Sequence, residues 1–273
     1  STPIAEYVYK TGTDNGKRVQ ALGGAKNHLI VMPDANPEVV ADAVIGAGYG
    51  AAGQRCMAVS VIVAVGEQTA DDLVKVLAPK VAKLRVGPGD DQSSQLGPVI
   101  TKASQERVKS LITSGVEDGA DLILDGRDIS VPGYQDGFFV GCSLFDKVKP
   151  DMAIYREEIF GPVLVIVRVK TYEEAKKLVI DHEYGNGAVI YTHDGGVARD
   201  FCQTVNIGMV GVNVPVPVPV AYHSFGGWKR SLFGDHHMHG PEGIRFNTRY
   251  KMITTRWPEN ESAGISFRCG TSE

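Results

Sequence analysis

Gly53-Gln54-Arg55-Cys56 sets a thiol beside a guanidinium, immediately before the apolar run Val59 to Val65. A thiolate is a nucleophile, and a neighbouring cation at a turn favours its formation. Read alone, the plainer role of a small buried hydrophobe leads for Cys56. Cys142, Cys202 and Cys269 fall in strand-like or helical patterns or in the tail, where that plainer role holds. A second candidate is Glu157-Glu158-Ile159-Phe160-Gly161-Pro162-Val163, two carboxylates before a tight turn. Such a pair can move protons or hold ribose hydroxyls, but read alone the motif favours a solvated pair at a strand entrance. Phe225-Gly226-Gly227-Trp228-Lys229-Arg230-Ser231 is a glycine-rich loop with cations, without any G-x-G-x-x-G or phosphate-loop sequence in the chain. The histidines of His236-His237-Met238-His239 do not preset a tetrahedral cage, so no metal is assigned.

The elements that must position these residues alternate between two periods. Pro3 behind Ser1 and Thr2 starts a helix to about Lys10, ended by Gly12, and a short strand covers Arg18 to Leu22. Leu29 to Met32 reads as a strand, and Asn36-Pro37 opens a helix to about Ala52. Cys56 thus falls in a loop between that helix and a strand over Val59 to Val65. Further helices are expected at Thr69 to Lys83, Thr101 to Gly115, Thr171 to Asp181 and Gly195 to Val205. Strands are expected at Leu122 to Leu124, Val163 to Val169, Gly187 to Tyr191 and Met209 to Val212. Strands alternating with helices of this length specify an α/β fold with a parallel sheet covered on both faces. Val214 to Val220 reads VPVPVPV, which lacks alternate backbone donors and cannot be a central strand. Ile244 to Trp257 alternates β-branched and aromatic residues and reads as a long strand.

The 273 residues are 43% hydrophobic, with 28 Lys+Arg against 32 Asp+Glu and a net charge of −4. That balance provides no basic stripe for nucleic acid. The longest apolar runs fall well short of the roughly 18 residues that span a bilayer, so no membrane partner is expected. Four scattered cysteines point to a reducing compartment.

Taken in order, ALGGAKNH at Ala21 to His28, GQRC at Gly53 to Cys56, EEIFGPV at Glu157 to Val163, SFGGWKRS at Ser224 to Ser231 and the final KMITTRW resemble the aldehyde dehydrogenase superfamily. GAKNH, GQRCMA and GVNVPVPVP resemble its NAD-dependent, CoA-acylating methylmalonate-semialdehyde (malonate-semialdehyde) dehydrogenases. Ser1-Thr2 resembles the end of a family motif inside the dinucleotide-binding domain, so the chain is expected to correspond to the C-terminal half. The resemblance implies that 1–22 is the tail end of the NAD-binding domain and 23–243 the catalytic domain. It makes 244–257 an oligomerisation strand and 258–273 a flexible tail.

By that resemblance Cys56 is the catalytic nucleophile, Arg55 the clamp for a substrate carboxylate, and Phe225 part of the substrate tunnel. Glu158, Phe160, Leu22 and Gly23 would bind the cofactor NAD. The water-activating Glu of hydrolytic relatives falls at Leu22, with Ala21 and Gly23 beside it. None can take a proton, which favours coenzyme A as the acceptor of a Cys56 thioester. The implied reaction converts methylmalonate or malonate semialdehyde to propionyl-CoA or acetyl-CoA with loss of CO2, in pathways such as valine breakdown. A homo-oligomer, dimer or tetramer, is implied, in the cytoplasm or in the mitochondrial matrix of a eukaryote. The alternatives are a hydrolytic aldehyde dehydrogenase and a catalytically incompetent remnant or interaction module.

Overall fold

A computed structural model describes residues 1–255 and 257. Helix α1 (Thr2–Asp14) leads to β1 (Ala21–Leu22), β2 (Asn27–Val31) and α2 (Pro37–Val44). A wide π-type turn (Ile45–Tyr49) and a tight one (Gly50–Gly53) precede β3 (Val59–Val65) and α3 (Glu67–Val81). Then follow α4 (Lys102–Glu117), β4 (Asp121–Leu124), β5 (Ser143–Asp146), α5 (Ala153–Arg156), β6 (Val163–Val169) and α6 (Tyr172–Asp181). The chain continues through β7 (Tyr184–Gly185), β8 (Gly187–Tyr191), α7 (Gly195–Thr204), β9 (Met209–Val212), β10 (Trp228–Lys229), β11 (Leu232–Phe233) and α8 (Gly240–Asn247).

The fold class is α/β, as expected. Seven strands form one sheet in the order β4-β5-β6-β3-β2-β8-β9, parallel throughout except for β4, which runs antiparallel to β5 at one edge. Alternate residues of β3 enter separate cores: Val61, Val63 and Val65 pack with Val108, Ile112, Val179 and Phe201 of α4, α6 and α7. Ile62 and Ala64 pack with Val40, Val44, Leu73 and Leu77 of α2 and α3 on the other face. A strand buried on both faces needs the unbroken apolar run that Val59–Val65 and Val163–Val169 supply. Two small antiparallel pairs, β1 with β11 and β7 with β10, tie the glycine-rich 224–233 loop to the sheet margin.

Helix caps follow side-chain chemistry. The Asn36 carboxamide accepts from the Glu38 and Val39 amides, and the Thr101 hydroxyl accepts from Ser104 N. Thr171 accepts from Glu174 N as a capping box requires, but the Glu174 carboxylate accepts from Lys170 N, one residue further out.

Several expectations are corrected. Helix α1 continues through Gly12 to Asp14, because the missing side chain leaves room for Val19, whose Cγ2 lies 2.3 Å from where a Cβ would stand. The strand expected from Arg18 shrinks to Ala21–Leu22. The helix expected to reach Ala52 stops at Val44, beyond which Gly46, Gly48 and Gly50 loosen the backbone into two irregular turns. β5 was absent from the expected elements: SLFD is only four residues long and carries Ser143 and Asp146 at its ends, so it offers no apolar run or clean alternation. Among the described residues the long strand expected over 244–257 is not formed: Pro241 at the first turn seeds α8, and residues 248–255 adopt no regular element. A strand exists only in a ladder, and no described strand pairs with this segment. The VPVPVPV segment is loop, as its prolines require. The tail 258–273, with Cys269, lies outside the described residues. No helix among the described residues is long and apolar enough to cross a membrane.

Candidate active site

Because β2, β3, β6 and β8 are parallel, their amino ends open on one sheet edge, and the chain visits that edge four times. Ala25 to Asn27 leads into β2, Arg55 to Ala58 into β3, Glu157 to Pro162 into β6, and Asn186 into β8. Arg55, Cys56, Glu158 and Phe160 line one crevice there together with Ala25 and Asn27. Four residues drawn from two distant motifs therefore converge.

The Cys56 thiol is exposed, on a turn built from unusual backbone. Ala51, Ala52 and Gly53 are successively left-handed, with φ of 54°, 53° and 69°. Two alanines in that region cost about 1–2 kcal/mol each, so the surrounding contacts must hold them. Gly53 packs on the next segment so closely that a Cβ would lie 2.1 Å from Gly161 O. Gln54 spans the gap, donating to Phe160 O at 3.2 Å and accepting from Ile100 N at 3.0 Å. Phe160 is itself left-handed, at φ 56°, and its ring is exposed. The Arg55 carbonyl accepts from Ala58 N at 3.0 Å, whereas the Cys56 N–H has no acceptor among the described residues.

Arg55 is anchored at one nitrogen: Nη2 donates to the carbonyls of Gly46 and Ala47, the latter at 3.0 Å. Nε and Nη1 meet no acceptor among the described residues. Glu158 is half-buried, and burial raises its carboxyl pKa against the opposing hydrogen bond from Ala25 N at 2.9 Å. That bond takes Oε1, while Oε2 accepts from none of the described residues and stands where a side chain on Gly24 would be. Beneath it Lys26 is buried, its ammonium donating to the carbonyls of Ile154 and Glu157 at 2.7 Å each, which fixes the loop carrying Glu158. Burial pushes the Lys26 pKa down to about 7, with the Glu158 charge opposing.

Phe225, Leu22 and Gly23 lie outside this crevice. Phe225 is buried with Met57 and Met209, and Leu22 packs against the same cluster, so both back the residue that follows Cys56. Gly23 donates to Ser231 O at 3.0 Å and sits where a Cβ would strike Arg230 O. Inspection of motifs missed Asn27 and Asn186, whose carboxamides both donate to the Cys56 carbonyl at 2.9 Å. The available signal is a polar residue at the head of an otherwise apolar strand: Asn27 before HLIV and Asn186 before GAVIY.

An α/β sheet with a thiol, a guanidinium and a carboxylate at its amino edge agrees with comparison to known proteins. The aldehyde dehydrogenase family profile matches residues 1–253, and the chain belongs to that family. A malonate-semialdehyde dehydrogenase of Pseudomonas aeruginosa is 59% identical over 262 residues, which make up 96% of this chain and 53% of that protein. The crystal structure of methylmalonate-semialdehyde dehydrogenase from Oceanimonas doudoroffii matches with a TM-score of 0.94 at 55% identity, covering 95% of this chain and 53% of that one. A Mycobacterium tuberculosis aldehyde dehydrogenase complexed with NAD+ matches with a TM-score of 0.83 at 30% identity, over 90% of this chain and 50% of the other. The chain thus spans about half the length of the curated relatives it matches.

Proposed function

We propose that this chain carries the catalytic centre of an NAD-dependent, CoA-acylating dehydrogenase for methylmalonate or malonate semialdehyde, with Cys56 as the nucleophile. The observation that carries this reading is the crevice in which the exposed Cys56 thiol meets Arg55 and Glu158. A carboxylated aldehyde would pair its carboxylate with Nη1 of Arg55, a charge-assisted contact that turns its carbonyl toward Sγ. Addition of the thiolate builds negative charge on the carbonyl oxygen, for which the Cys56 N–H is available.

The residues fit the implied cofactor: Glu158 has an unengaged Oε2 able to accept from ribose hydroxyls, and Phe160 offers an exposed ring. NAD, when bound, supplies the hydride acceptor whose reduction leaves an acyl group on Cys56. Ala21, Leu22 and Gly23 hold no carboxylate to activate water, which supports a thiol such as coenzyme A as the acyl acceptor. Residues 1–22 and 244–257 are proposed, respectively, as the end of a cofactor-binding domain and as a segment joining subunits of a homo-oligomer.

The test is steady-state NADH formation from malonate semialdehyde by the full-length protein. The expected rate rises strongly with coenzyme A. An equal rate with and without it removes the CoA assignment.

A further inference from the structure

The two carboxamides behind Cys56 have no part in the reaction outlined above, yet they converge on its nucleophile from strands on opposite parts of the chain. Asn27 Nδ2 donates to the carbonyls of Cys56 and Ala58, both at 2.9 Å, and its Oδ1 accepts from Gly187 N at 3.0 Å. Asn186 Nδ2 donates to the same Cys56 carbonyl at 2.9 Å and touches the Met57 sulfur at 3.0 Å. Both residues are buried. The local fold is shaped around this contact. β2 shifts register against β3 between Asn27 and His28, the irregularity that re-aims a side chain at a sheet margin. Gly187 has no side chain to obstruct it: a Cβ there would lie 2.6 Å from Met57 Cε and 3.3 Å from Asn27 Oδ1.

We propose that Asn27 and Asn186 are positioning residues that lock the Cys56–Met57 peptide. A planar trans peptide turns as a unit, so two donors on one carbonyl oxygen fix rotation about the Cys56 Cα–C bond. Ala58 N–H fixes the preceding Arg55 carbonyl in the same way. With both flanking peptides held, the Cys56 N–H cannot swing round to satisfy itself on a neighbouring carbonyl. It stays available to the oxygen of an adduct formed at Sγ. The inference rests on Cys56 being the nucleophile, and it assigns to the two asparagines stabilisation of the adduct rather than exposure or acidity of the thiol.

The step that separates these is reversible addition of an aldehyde, which needs neither NAD nor CoA. The Cys56 S–H adds across the C=O group: a C–S bond forms, the π bond becomes an O–H bond, and no electrons leave the system. With [1-13C]propanal the adduct carbon moves from the carbonyl to the sp3 region of the 13C spectrum, giving the equilibrium constant on the full-length protein. Cys56→Ala identifies the signal. Asn186→Ala and Asn27→Ala are each expected to lower that constant about fivefold, the worth of roughly one hydrogen bond. Alkylation of Cys56 by iodoacetamide, followed by peptide mass spectrometry with the exposed Cys202 as internal reference, is expected to change less than twofold.

Asn186 precedes β8 and makes no ladder contact through its side chain, so Asn186→Ala decides the matter if Asn27→Ala fails to fold. Unchanged adduct formation in folded Asn186→Ala, or equal losses in adduct formation and alkylation, overturns the positioning role while leaving Cys56 as nucleophile. Absence of any Cys56 adduct in the parent chain overturns both.

Discussion

Two cysteines stand at the entrances of two strands of the same sheet, and they could hardly be treated more differently. Cys142 directly precedes β5, between Gly141 and Ser143, whose amides bond to Gly126 O and Pro162 O. It is half-buried against the core on the α2–α3 face, and burial pushes its thiol up to about 12. Cys56 precedes β3 on a turn of three left-handed residues, exposed beside a cation, with its own N–H unengaged. Position at a strand end therefore does not make a nucleophile. The strained turn and the groups gathered round it are what support the role proposed for Cys56.

The largest expected contrast is in turnover. In the full-length protein Cys56→Ala is expected to reduce aldehyde oxidation by about three orders of magnitude or more, while Cys142→Ala leaves kcat within about twofold, as steady-state assays would show. Comparable losses at both positions would erase the distinction. Next comes reactivity: at pH 8 only about one Cys142 thiol in ten thousand is ionised, from its value near 12. Peptide mass spectrometry after iodoacetamide should show Cys56 labelled about a hundredfold faster than Cys142.

A third prediction concerns the turn itself. Gly53→Ala adds a methyl group facing Gly161 O at φ 69° and should lower unfolding free energy by about 1–3 kcal/mol in a urea titration. It should slow Cys56 chemistry while leaving Cys142 unreactive. A fourth prediction lies in pH dependence. Lys26 has a folded pKa of about 7, and an unfolded lysine titrates near 10.4. Between those values the unfolded chain holds the proton and the folded chain does not, so this group makes stability rise with pH across that window. Lys26→Met should flatten that slope in denaturant titrations at pH 7 and pH 10, and it should cost stability at both because two carbonyls lose their donor.

The central strands could be read from the sequence almost to the residue. Val59–Val65, Val163–Val169 and Gly187–Tyr191 are mainly apolar runs, and burial from both faces leaves little freedom in where they end, while Met209–Val212, at the sheet edge, is bounded by Gly208 and Asn213. The 244–257 segment failed because alternation describes a side-chain pattern, whereas a strand also needs a partner. In the site, Arg55, Cys56, Glu158 and Phe160 were legible because each belongs to a compact motif. Asn27 and Asn186 were not, since their partner is a carbonyl 29 and 130 residues away and only the register of the folded sheet brings them to it. Phe225 was expected in the substrate tunnel and Leu22 at the cofactor, both by resemblance, and the fold puts them behind Met57, outside the crevice.

The guanidinium of Arg55 is already held by two main-chain carbonyls before any anion arrives. A long side chain usually surrenders rotamer freedom when it grips a ligand, at about 0.5–1.5 kcal/mol. Here most of that loss is incurred during folding, so the carboxylate of the proposed substrate would meet a guanidinium already fixed in place, with Nη1 open to it. Lysine at this position could retain the charge but could not hold carbonyls with one nitrogen and a carboxylate with another, because its three donors share a single nitrogen.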